Sequence, residues 1–104
     1  MVARSHEDTV LKVEKNKIKP PRMFKVVLLN DDFTPMEFVV YVLQEIFHHP
    51  FERAEQIMLS VHKDGMGIAG VYRLEIAEQK AYETAEDAKE YQYPLKITIK
   101  EITV

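Results

Sequence analysis

Asn30-Asp31-Asp32 stand between two apolar segments, "KVVLL" before and "PMEFVV" after. Two adjacent carboxylates and a carboxamide at such a junction have two readings. Asn and Asp are common where a strand gives way to a helix, so turn chemistry alone accounts for them. The other reading is a set of acceptors at the rim of the core. Thr34 already has the position of a helix cap, which leaves the three side chains without an evident local task. Further along, Met58, Val61 and His62 follow the i, i+3, i+4 spacing of one helical face. A lone histidine near a helix end is ordinarily just a helix-end residue. If the two helices pack as a hairpin, however, the start of the first lies beside the end of the second. Asn30, Asp31, Asp32 and Met36 then meet Met58, Val61 and His62. The product is an apolar pocket with adaptable methionine walls, rimmed by carboxylates, a carboxamide and an imidazole.

Three chemistries compete for such a pocket. Hydrolysis fits poorly, because adjacent aspartates are not spaced for acid and base work across one bond and no nucleophile is evident. Metal binding fits poorly too. The oxygens and one nitrogen lack tight ligand spacing, and His48-His49 are neighbours that point apart and read as surface. An ammonium joined to an apolar group fits best: the rim takes the charge and the pocket takes the side chain. "GMGIAG", residues 65–70, satisfies a dinucleotide-binding spacing in the wrong context. It follows a helix and opens a strand, the reverse of the nucleotide-binding order. Its reading is a helix stop plus a strand of small residues.

The elements that would position these residues follow from the pattern. "MFKVVLL", 23–29, reads as a strand apolar on both faces and hence central in its sheet. "TPMEFVVYVLQEIFHH" reads as a helix with Thr34 as N-cap, Pro35 in the first helical position and Glu37 completing a capping box. Pro50 ends it. "FERAEQIMLSVHKDG" is a second helix, with Ala54, Ile57, Met58 and Val61 on its apolar face and Gly65 beyond its end. A strand, "IAGVYRL", follows. A third helix presents Ala77, Ala81, Ala85 and Ala88, and Pro94 stops it before the strand "LKITIKEITV". The order β-α-α-β-α-β predicts an α+β two-layer sandwich. The first strand lies between the other two and antiparallel to both, with three helices on one face.

The totals bound the function. At 104 residues and 46% apolar, the chain fits one domain with a modest core. No apolar run approaches the ~20 residues of a membrane span, and the N-terminus has no hydrophobic region of a secretory signal. No cysteine is present, so thiolate metal sites and disulfides are excluded and a reducing cytoplasm is the expected location. Residues 1–22 carry six Lys/Arg against three Asp/Glu; residues 23–104 carry eight against fourteen. A folded part this acidic repels nucleic acid and tolerates a cationic ligand. Residues 1–20 read as a flexible arm with Pro20-Pro21 as an extended hinge, and 21–104 as the folded core. A helix over "TVLKVEKNKI" is the competing reading of the arm.

Taken together, "KVVLLNDDFTPMEFVVYVLQEIF", "MLSVHKDG", "GVYRLEIAEQK" and "YPLKITIKE" resemble the ClpS family, adaptors of the ClpA/ClpP protease in the bacterial N-degron pathway. The likeness runs from about Pro20 to Glu101. It implies a fold similar to the C-terminal domain of the ribosomal stalk protein. It also implies a binding role, not an enzymatic one: recognition of substrates beginning with Leu, Phe, Tyr or Trp and their delivery to the unfoldase. By this resemblance Asn30, Asp32 and His62 hold the substrate α-amino group. Asp31 binds the peptide backbone just after it, and Met36 gates against β-branched side chains. Val39, Leu43, Met58, Val61 and Leu95 line the pocket or its near shell, while Thr34 shapes the loop. Glu75, Glu78 and Lys80 belong to a surface that docks the N-terminal domain of the ClpA unfoldase. No cofactor, metal, nucleic acid or membrane is implied, and a monomer is expected. Two other classes remain open: a ribosome- or factor-binding domain sharing the fold, which would not need the polar rim, and a small enzyme using Asp32 and His62.

Overall fold

The computed structural model describes residues 19–103; most of the expected arm, residues 1–18, lies outside them. Three strands and three helices follow in the order β1 (Phe24–Leu29), α1 (Met36–Glu45), α2 (Phe51–Asp64), β2 (Met66–Tyr72), α3 (Leu74–Glu90) and β3 (Lys96–Glu101). The sheet order is β2-β1-β3, and β1 is antiparallel to both neighbours. The α+β sandwich expected from the pattern is therefore present. Val26, Val27 and Leu28 are fully buried, as a central strand requires. Phe24, Val26 and Leu28 join one core with Val42 and Leu43 of α1, Ala54, Ile57 and Val61 of α2, and Ala77 and Ala88 of α3.

Two glycines set how α2 meets the sheet. Gly65 ends α2 in the left-handed conformation (φ 86°), its amide returning to the Val61 carbonyl. Gly accepts that backbone without the steric penalty of a Cβ. At Gly67 a Cβ would stand 2.8 Å from the Val61 methyl and 3.0 Å from the Ile57 carbonyl. The absence of a side chain lets α2 lie directly on β2.

Three local expectations are corrected. Thr34 does not cap α1. Pro35 occupies the N-cap position without a side-chain cap bond; the Thr34 hydroxyl is turned to Asp31, donating to Oδ2 at 2.7 Å, and its oxygen accepts no helix amide. Helix α1 also stops four residues short of His49. Its end opens out, with Phe47 N–H donating to the Val42 carbonyl, His49 N–H to that of Leu43, and His48 at φ 59°. Pro50 opens α2 instead, accepting from the Ala54 amide. On α3 the buried stripe is Ala77, Thr84 and Ala88, with Ala81 half-buried and Ala85 exposed. A true 3.6-residue period moves the stripe from 85 to 84, and Thr84 satisfies its hydroxyl on the Lys80 carbonyl at 2.8 Å.

Candidate functional site

The loop between β1 and α1 is built on Asp31. Its Oδ1 accepts from the amides of Phe33 and Thr34, both at 2.8 Å, and its Oδ2 from the Thr34 hydroxyl. One side chain thus replaces the backbone partners a turn would otherwise need. Burial disfavours the Asp31 carboxylate. The Thr34 hydroxyl, the two amides and the Lys96 charge together outweigh burial and hold its pKa below the ordinary value. The turn-chemistry reading is therefore right for Asp31, which has a local task after all.

The neighbours of Asp31 differ. Asn30 uses its backbone, donating N–H to the Gly65 carbonyl at 3.0 Å. That bond ties the end of β1 to the end of α2 and brings Asn30 to the side of His62. Among the described residues, the side chains of Asn30, Asp32 and His62 have no hydrogen-bond partner, and all three residues are exposed.

Between them lies an open cavity of about 370 Å³. Asn30, Asp31, Asp32 and His62 line it with polar groups, and the exposed Met36 lines it as well. Val39, Met58 and Val61, all buried, form the apolar wall. Thr34, Pro35 and Phe33 complete the lining. Volume and lining suit one bulky apolar group carrying a polar head.

Nine of the eleven pocket residues named from the sequence meet here. Leu43 and Leu95 do not reach the cavity; they belong to the buried core. Phe33 and Pro35 line it without having been singled out. Their signal was position alone, inside the Asp31–Met36 loop. Glu75 and Glu78 lie exposed near the start of α3, outside this cavity. Lys80 is half-buried and committed to the fold. Its Nζ donates to the Ile46 carbonyl at 2.7 Å and lies 5.9 and 5.5 Å from the centres of the Phe47 and Tyr72 rings. No group of three or more metal-ligating side chains occurs among the described residues, and no helix among them is long and apolar enough to cross a membrane.

Comparison with known proteins decides the family. The family model "ATP-dependent Clp protease adaptor protein ClpS" matches residues 19–98. The chain belongs to the ClpS family. Curated ClpS relatives are similar over nearly the whole chain. That of Nitrosospira multiformis is 52% identical over 97% of this chain and 99% of its own, and that of Paraburkholderia phymatum is 48% identical over 97% of each. Among solved structures, Agrobacterium tumefaciens ClpS2 bound to L-phenylalaninamide superposes with a TM-score of 0.77. It is 37% identical and covers 80% of this chain and 100% of its own. Membership in ClpS makes this chain an adaptor of an ATP-dependent Clp protease, not an enzyme.

Proposed function

We propose that this adaptor binds the free N-terminal residue of a polypeptide when that residue is Leu, Phe, Tyr or Trp, and delivers the bound chain to the ClpA unfoldase. The observation that carries the reading is the contrast within the pocket: an apolar wall, and at its rim three polar side chains without hydrogen-bond partners among the described residues. An α-ammonium supplies the missing donors, Asp32 the opposing charge, and Asn30 and His62 further polar contacts. Asp31 is occupied by its own loop, so its part is to hold the rim in place; a lone pair left over can meet the peptide backbone. Met36 at the mouth narrows the entrance against side chains branched at Cβ. The ligand of the Agrobacterium relative, an amino-acid amide with a free amine and an aromatic side chain, is the chemistry this pocket fits.

Magnitudes agree. Burying a Leu or Phe side chain contributes about 1.5–3 kcal/mol, and each charge-assisted hydrogen bond about 1.5–3 kcal/mol. Two or three such bonds, less the cost of ordering, reach the ~8 kcal/mol of a micromolar complex. Docking on the unfoldase N-terminal domain falls to Glu75 and Glu78, which are exposed and away from the cavity, together with the half-buried Lys80 on the same helix. Residues 1–20 are the segment the unfoldase engages.

Titration with phenylalaninamide and with its N-acetylated form tests the reading. Acetylation removes the positive charge and two donors while leaving the ring intact, so it should nearly abolish binding. Equal affinity for both would leave only a hydrophobic pocket and end the proposal.

A further inference from the structure

Phe33 is 79% exposed, more than any other large apolar side chain among the described residues. A lone exposed apolar residue is ordinary; this one is held in a particular place. Its amide is pinned at 2.8 Å to Asp31 Oδ1, the next amide is pinned to the same oxygen, and Pro35 restricts the backbone just beyond. Phe33 also lines the cavity. Among the described residues it is no part of the core, and no aromatic pair includes it. The fold therefore spends three hydrogen bonds of one carboxylate on a loop whose tip is an aromatic ring in contact with solvent.

The buried wall of the cavity already accounts for the first side chain of a ligand. What that wall cannot contact is the chain leaving the pocket. We infer that Phe33 is a specificity-determining residue for the second residue of the bound polypeptide, its ring covering an apolar or aromatic side chain there. The inference rests on the N-terminal-residue reading and extends it from one residue to two. Its backbone is already held by the Asp31 bonds, so contact costs only the rotation of the ring itself, and the contact shows in affinity. Pairs of this kind correspond to about three- to tenfold in affinity. Asp32, exposed on the same loop, sets the opposite sign for an acidic second residue.

The test uses the full chain, wild type and Phe33→Ala, with three probes: phenylalaninamide, Leu-Phe-amide and Leu-Ala-amide. Wild type should prefer Leu-Phe-amide to Leu-Ala-amide by about three- to tenfold. Phe33→Ala should remove that preference and retain the melting temperature, with any change in phenylalaninamide affinity smaller than the preference lost; Phe33→Tyr should restore the preference. An unchanged preference in Phe33→Ala would overturn the inference. So would a loss of phenylalaninamide affinity in Phe33→Ala as large as the loss for Leu-Phe-amide, because Phe33 would then serve only the first-residue pocket. Failure of wild type to bind phenylalaninamide would overturn the N-terminal-residue reading itself, and this extension with it.

Discussion

The two ends of the α1–α2 hairpin carry similar chemistry put to different use. At the end where α1 stops and α2 begins lie Lys80 and His49. Both are consumed. Lys80 donates to the Ile46 carbonyl, one of the carbonyls a helix end leaves without an internal partner. The His49 ring meets the Ala69 carbonyl at 2.5 Å. That carbonyl sits where the β1–β2 register slips and Ala69 has no opposite residue. A carbonyl only accepts, so His49 Nε2 carries the proton. At the other end, where α1 begins and α2 stops, Asp31 and Thr34 bind each other, and Asn30, Asp32 and His62, whose side chains have no hydrogen-bond partner among the described residues, line an open cavity. Residue type does not separate a binding site from a tertiary clasp; the presence or absence of an internal partner does.

The largest effect should follow from removing charge at the open end. Asp32→Ala should weaken phenylalaninamide binding about 10- to 100-fold, the loss of one charge-assisted hydrogen bond. Its melting temperature should stay within about a degree or two, since exposed substitutions away from structural contacts change little. Calorimetric titration beside a thermal melt reads both. A destabilised Asp32→Ala that still binds would erase the distinction between the two ends.

At the closed end the order of effects should reverse. Lys80→Met leaves the Ile46 carbonyl unpaired and removes the cation from the two rings, costing about 1–3 kcal/mol of stability with peptide affinity of the folded protein retained. Urea unfolding checks the first part, and titration below the transition checks the second. This also bears on docking. A charge reversal at Lys80 confounds folding with partner binding, so the docking surface is better probed by Glu75→Lys with Glu78→Lys.

Asp31 lies between the two regimes, and its effect should be the smallest. Its lowered folded pKa means that its contribution is fully present above the unfolded value near ~4. The contribution disappears as pH falls through the lower folded value. Asp31→Asn should cost about 0.5–1 kcal/mol at pH 7, a modest figure because the group is partly solvated. It should also flatten the acid limb of stability against pH. An unaltered acid limb would show that the loop does not depend on this carboxylate.

Much of this was legible in the chain. The strand apolar on both faces had to be central, and the spacing of Phe38, Val39, Val42 and Leu43 had to be a buried helical face. The proline and glycine positions divided the elements, and Asn30 to Asp32 with His62 marked the site. These are local properties: periodicity, backbone restriction and side-chain chemistry act over a few residues. What only the tertiary structure decided was the allocation of partners. Whether Thr34 caps a helix or serves Asp31 depends on where the folded loop places its hydroxyl, beside the first helical amides or beside the Asp31 carboxylate to which it donates. Whether Lys80 faces a partner or the Ile46 carbonyl depends on where the end of another helix, 34 positions away, comes to rest. Likewise, Leu43 and Leu95 share the residue type of the pocket wall but lie in the core, and Phe33 lies in the pocket without any periodicity to announce it. A hydrogen bond or an apolar contact between distant segments is settled by their packing, and no spacing within either segment encodes it.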